Sequence, residues 1–228
     1  MTSNRRGAAG VAIFLILFLY GLTGLAAQER LRILAATGTA DQIVRALQAG
    51  ADFNDHDWNG VTALMAAAAF NRDPRVVALL ARKGAFVDAS DVNGETALMF
   101  AAEHNQQEEV ISELLDAGAD LNRRDRLGRT ALIYAVRESA PLNIVARLLK
   151  AGADVNTRDA SGSSALAYAL ECSASSAVPL ALLDAGAESA GRCRGRTLLE
   201  YARGNPALAD DAKLLDRLDH PAQGTTGA

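Results

Sequence analysis

Three histidines and two cysteines are the residues with which this chain could do metal or nucleophilic chemistry. His56, His104 and His220 fall at a turn, a helix end and the C-terminal tail, so no two are spaced to share a metal ion. No cofactor is expected. A catalytic cysteine needs a nearby base, and neither Cys172 nor Cys193 has a histidine in register. An exported chain could join the two as a disulfide. The repeat described below argues otherwise, because it puts Cys172 near the far end of one helix and Cys193 in the turn that opens the next unit, a gap expected to exceed the ~7 Å Cα limit. Glu108, Glu109, Glu113 and Asp116 form an acidic helix face that reads as solvated surface. There is no glycine loop fit to cradle phosphate and no carboxylate pair in surroundings that would raise a pKa. These residues predict a chain that is not an enzyme.

The elements that position them repeat. Gly50, Gly84, Gly118, Gly152 and Gly186 stand 34 residues apart, each followed by Ala, and Gly60, Gly94, Gly128 and Gly162 keep the same step. Thr62, Thr96, Thr130 and Ser164 follow two residues behind the second set. A period of this size marks stacked structural units. In residues 91–122, Thr96 is placed to cap a first helix, with Leu98, Ala101 and Ala102 as its small apolar face. Asn105 stands where that helix stops and suits a left-handed cap, as does Asn71 one unit earlier. Val110, Ile111, Leu114 and Leu115 give a second helix one apolar face, and Gly118 ends it. A turn-rich finger then runs through Asp125 to Gly128. One unit cannot bury both of its helices against itself, so the core must form between neighbours. Aromatic residues are only 5% of the chain, and Ala, Leu and Val supply that core.

Residues 57–68, 91–102, 125–135 and 159–169, with the Gly-Ala-Asp stretches, resemble the ankyrin repeat. Two departures recur: Ala63, Ala97, Ala131 and Ala165 replace the family's Pro, and Met65, Met99, Ile133 and Ala167 replace its His. An extra residue between the helices, near residues 71–74, lengthens the usual step. The resemblance implies an all-α solenoid of stacked helix-turn-helix units with β-hairpin-like fingers. It covers residues 28–218 in about six units, including degenerate caps, the last with a second helix over 206–218. Residues 219–228 read as a disordered tail.

Residues 1–27 read differently. Arg5 and Arg6 precede an apolar run over 11–25, and Gly24 and Ala26 are small residues at the positions a signal peptidase reads. Cleavage would leave a periplasmic or secreted protein; retention would leave a membrane anchor, although the run is short against the ~20 residues of a full span. Taking Arg5 and Arg6 from the 23 basic residues and setting the rest against 27 acidic ones leaves a net charge of −6, which argues against bulk nucleic-acid binding.

The expected function is therefore non-catalytic binding of another protein by a monomer, as a scaffold or adaptor; the alternative is an inhibitor or protective partner of an exported enzyme. In the ankyrin family the binding face is made of finger tips and first-helix ends. Carried onto this sequence it gives Trp58, Asn59, Phe70, Val92, Asn93, Glu103, His104, Arg126, Leu127, Arg129 and Arg137. Trp58 either anchors a partner or folds back on the capping unit. The later fingers are basic, with Arg123, Arg124, Arg126, Arg129, Arg158, Arg192, Arg194 and Arg196. Phe100, Tyr134, Tyr168 and Tyr201 recur at one repeat position, which reads as packing between the helices of a unit rather than as a ligand stripe.

Overall fold

The computed structural model describes residues 27–190 and 192–220. The segment read as a signal peptide, up to residue 26, and the tail beyond 220 lie outside the described residues. Among the described residues twelve helices form six pairs: α1 (Ala27–Thr37) with α2 (Ala40–Gln48), α3 (Ala63–Phe70) with α4 (Pro74–Arg82), α5 (Ala97–His104) with α6 (Glu108–Asp116), α7 (Ala131–Arg137) with α8 (Leu142–Lys150), α9 (Ala165–Cys172) with α10 (Ala177–Asp184), and α11 (Leu198–Gly204) with α12 (Ala212–Asp219). First helices stack on first helices and second on second, giving two layers, and α12 packs on α11 to close the end.

The two layers follow from two kinds of side chain. Ala67, Ala68, Ala101, Ala102, Ala135 and Ala169 are fully buried and let the backbones of the first helices come close. The second helices bury branched triplets, Val76, Val77 and Leu80 in α4, Val110, Ile111 and Leu114 in α6, and Ile144, Val145 and Leu148 in α8. Thr62, Thr130, Ser164 and Thr197 each accept from the backbone N–H three residues on, satisfying a donor that the first turn leaves free. Thr96 holds the same N-cap position, but its hydroxyl makes no such bond, contrary to the expectation from sequence.

Asn71 and Asn105 are not left-handed caps. Both are extended, with φ −80° and −97° and ψ 130° and 136°, and their side chains reach back one repeat. Asn71 Nδ2 donates to the carbonyls of Ala35 at 2.8 Å and Gly38 at 2.9 Å. Asn105 Nδ2 donates to Ala68 and Asn71, both at 2.9 Å. Asn205 repeats the pattern on Leu170 and Ser173. Each asparagine thus serves carbonyls at the C-terminal end of the preceding first helix, which have no partner within that helix. The left-handed residue appears instead at Ser139, φ 57°, where the fourth unit carries no asparagine. A second row of stitches joins the loops behind the second helices: the side-chain oxygens of Asn54, Asp88, Asn122 and Asn156 accept from the N–H of Phe86, Asp120, Asp154 and Glu188.

The fingers share one construction. Asp57, Asp91, Asp125 and Asp159 each accept, through Oδ1, the N–H groups two and four residues ahead. Gly60, Gly94, Gly128 and Gly162 take the positive φ that this turn with its bulge requires. Successive tips are linked directly, Val92 N–H to Asn59 O, Arg126 N–H to Asn93 O and Ala160 N–H to Leu127 O, at 2.8 to 2.9 Å. The last finger differs, because Cys193 replaces the Asp and the turn shrinks to Arg194 (φ 49°) and Gly195 (φ 80°). Two consecutive positive φ values make a two-residue hairpin, and β1 (Arg192–Cys193) pairs antiparallel with β2 (Arg196–Thr197). In the last unit residues 205–211 are turns rather than helix, so the second helix starts at Ala212, under an Asp211 cap, and not at Pro206.

Gly94 carries both constraints of a finger. Its φ is +83°, and an added Cβ would stand 3.1 Å from the Arg126 N–H that links the second finger to the third. Gly94→Ala is expected to cost about 1–2 kcal/mol from the left-handed backbone alone, with further loss from the displaced link; a urea titration reads it as a lower midpoint.

Candidate partner-binding surface

The sequence-predicted residues form a tip row and a helix-end cluster. In the row, Trp58 and Asn59, Val92 and Asn93, and Arg126 and Leu127 occupy equivalent places on three fingers, joined by the tip-to-tip backbone bonds. Trp58 is 88% exposed, so it does not fold back on the capping unit. Leu127 and Val92 are also exposed apolar side chains, and the Arg126 side chain is exposed and, among the described residues, free of any ion pair or hydrogen bond. In the cluster, Phe70 at the end of α3 stacks on His104 at the end of α5, with centroids 5.6 Å apart and planes 13° from parallel. Phe100 lies tilted to the His104 ring at 6.3 Å, and Glu103 Oε2 is 3.5 Å from His104 Nε2. Burial against these rings lowers the His104 pKa, with Glu138 opposing, which keeps the imidazole neutral at pH 7. Arg137 ends α7 and lies over the Tyr168 ring at 5.6 Å.

A family model for ankyrin repeats matches residues 31–125, 89–159 and 107–192, three overlapping copies. The chain belongs to the ankyrin-repeat family. No curated protein matches it. Ankyrin repeats are generally protein–protein interaction modules, and the fingers and first-helix ends described above carry four of the exposed large apolar side chains of this ankyrin stack, Trp58, Phe70, Val92 and Leu127.

Arg129 does not belong to that surface. It is 5% exposed, its Nε lies 3.2 Å from Asp125 Oδ2 without hydrogen-bond alignment, and its guanidinium covers the Tyr134 ring at 5.0 Å. It stands on the returning strand of the finger, which faces the first helices, whereas Arg126 stands at the tip. Most of the other arginines of the ankyrin fingers also bond inward: Arg124 to the carbonyls of Gly128 and Arg158, Arg158 to Gly162 O and Glu188, Arg192 to Gly195 O, and Arg196 to Glu200 O.

The recurring aromatics pack in or against the buried core, as expected, and the hydroxyls of the three tyrosines also reach the fingers. The Tyr134 hydroxyl donates to Asp125 Oδ2 at 2.8 Å and also touches Glu95 Oε1; the Tyr168 hydroxyl donates to Asp159 Oδ2 at 2.6 Å; the Tyr201 hydroxyl donates to Cys193 O at 3.3 Å. Guanidiniums of Arg129, Arg194 and Arg196 cover the three rings. Each tyrosine therefore fixes the finger that opens its own repeat.

Both cysteines are free. Cys193 is buried and its thiol donates to Ser163 Oγ at 3.2 Å; Cys172 is exposed at the end of α9, where partial burial and Glu171 raise its pKa. Among the described residues no group of three or more His, Cys, Asp and Glu side chains is arranged to hold a metal ion. Arg194 is one of the basic finger residues expected from sequence, whereas Phe86 escaped the sequence reading. Arg194 folds back from the last tip onto Glu171, Ser161 and the Tyr168 hydroxyl. Phe86 is 67% exposed where the other repeats have Asp or Glu, and that break in the repeat was its signal.

Proposed function

We propose that this chain is a non-catalytic binding module, exported to the periplasm or cell envelope, that holds a partner protein along its finger tips and the adjoining ends of its first helices. The carrying observation is that Trp58, Phe70, Val92 and Leu127 stand exposed on these elements, 88%, 52%, 43% and 50% respectively. Apart from the stack of Phe70 on His104, that apolar surface faces solvent, and large aromatic side chains with arginine dominate the centres of protein interfaces. Export rests on Arg5 and Arg6 followed by the apolar run over residues 11–25.

The test is a crosslinking capture from envelope extract with the native chain and with Trp58→Ala/Arg126→Ala/Leu127→Ala, whose three side chains are exposed and whose loss leaves the core intact. A protein captured by the first and lost by the second supports this surface. Equal capture by both moves the site elsewhere. Mass spectrometry of the N-terminus reports on export: a start near Ala27 supports a cleaved signal, and retained Met1 supports an anchor.

A further inference from the structure

The same repeat position changes its chemistry along the row. The first tip position reads Trp58, Val92, Arg126, Ala160 and Arg194 from finger to finger, and the position two residues earlier reads His56, Ser90, Arg124, Arg158 and Arg192. The early fingers are apolar, with the Phe70–His104 stack beside them. The later fingers are basic.

That positive charge is only partly neutralised among the described residues, with Glu200 close enough to feel Arg192 and Arg196. The carboxylates nearby are already engaged: Asp125 faces Arg129, Glu188 faces Arg158, Glu171 faces Arg194, and Glu138 faces Arg137. Arg124, Arg192 and Arg196 bond to backbone carbonyls, which accept hydrogen bonds without cancelling charge. The side chains of Arg123 and Arg126 are exposed and, among the described residues, carry neither an ion pair nor a hydrogen bond. Five guanidiniums on the third to fifth fingers thus lack a carboxylate within ion-pair distance, on a chain that is acidic overall.

We infer that the occupant of the finger row is an extended acidic segment of a partner protein, with apolar side chains on the Trp58 and Phe70 end and Asp or Glu side chains on the Arg123 and Arg126 end. The inference rests on the binding role proposed above. Two repeat steps of ~8–10 Å separate the Trp58 and Arg126 fingers, about 18 Å, the reach of about 6 extended residues, and the later fingers extend the row beyond them. Apolar anchors supply affinity at one end, and complementary charge fixes direction and speeds encounter at the other.

The test is selection of a random peptide library displayed on phage against the full-length chain, purified through a C-terminal tag in the processed form the cell delivers. The expected result is an enriched set with aromatic or aliphatic residues in one half and acidic residues in the other, in one fixed order. A synthetic peptide from that set is expected to lose about tenfold in affinity to Arg123→Glu/Arg126→Glu and to Trp58→Ala, and to bind more weakly as salt rises. Enriched peptides that are apolar without acidic residues, and that depend on Trp58 but not on the arginines, overturn the inference and leave the binding role standing. Peptides that depend on neither variant overturn both. A selection that enriches nothing overturns the inference, and the capture experiment then judges the binding role alone. Unchanged thermal melts of the variants, whose side chains are exposed, separate loss of binding from loss of fold.

Discussion

Asn105→Ala is expected to lower stability by about 3–5 kcal/mol, a large part of the ~5–15 kcal/mol that holds a domain folded. The side chain is 5% exposed and makes three bonds: Nδ2 to the carbonyls of Ala68 and Asn71, and Oδ1 from the N–H of Gln107. Removing it strands two carbonyls between packed repeats, at about 1–3 kcal/mol for each buried group left without a partner. The loss falls on an internal interface of a stack whose stability comes from its neighbours, so the urea midpoint drops and the transition broadens. Asn105→Asp is the sharper variant. It keeps the shape and the Oδ1 acceptor, removes the donor, and turns a carboxylate on two carbonyl oxygens, so it should be at least as damaging as alanine. Asn205→Ala, at a half-buried site of the last unit, should cost less. A loss below about 1 kcal/mol for Asn105→Ala would mean that water replaces the amide without penalty.

The contrast between these asparagines and the glycines shows what a sequence can carry. Gly60, Gly94, Gly128 and Gly162 act on their own backbone, and Thr62 and Thr130 act three residues away, so period, helix pairs and fingers can be read from local pattern. Asn71 and Asn105 act on carbonyls 33 to 37 residues away. A local reading finds a plausible cap at each helix end and stops there, although recurrence at the repeat spacing was the available clue. The candidate surface divides in the same way. Trp58, Val92 and Leu127 could be placed because a tip residue has little to fold against. Arg129 could not, because side chains on a short finger alternate between solvent and the first helices, and only the register decides which way an arginine points. The aromatic position is legible as packing, but its polar ends are not: the hydroxyls of Tyr134 and Tyr168 find Asp125 and Asp159 nine residues upstream on the finger.

Tyr134→Phe is the second large effect, expected to cost about 2–4 kcal/mol because it removes a buried donor from two carboxylates at once. The ring is fully buried, and the Asp125 side chain is 1% exposed. With the hydroxyl gone, Asp125 Oδ2 and Glu95 Oε1 face each other across the vacated space, and the misaligned Arg129 Nε is the remaining side-chain donor to Asp125. Adding Glu95→Gln to Tyr134→Phe removes one charge and offers an amide to Asp125, so the double variant should recover part of the loss, and a double-mutant cycle measures the coupling. The same hydroxyl sets an alkaline limit. Burial, then the bonds to Glu95 and Asp125, raise the Tyr134 pKa far above its ordinary value. The unfolded chain therefore releases this proton first, near pH 10, and the folded chain keeps it. Stability from this group is complete below that pH and falls as pH rises above it, by up to about 1.4 kcal/mol per pH unit. Tyr168 is raised in the same direction, by burial and Asp159, and adds to the slope. Urea midpoints measured from pH 9 to 11 should decline in the native chain and decline less steeply in Tyr134→Phe. Equal slopes in the two would place the alkaline loss elsewhere and remove the buried phenol from the account.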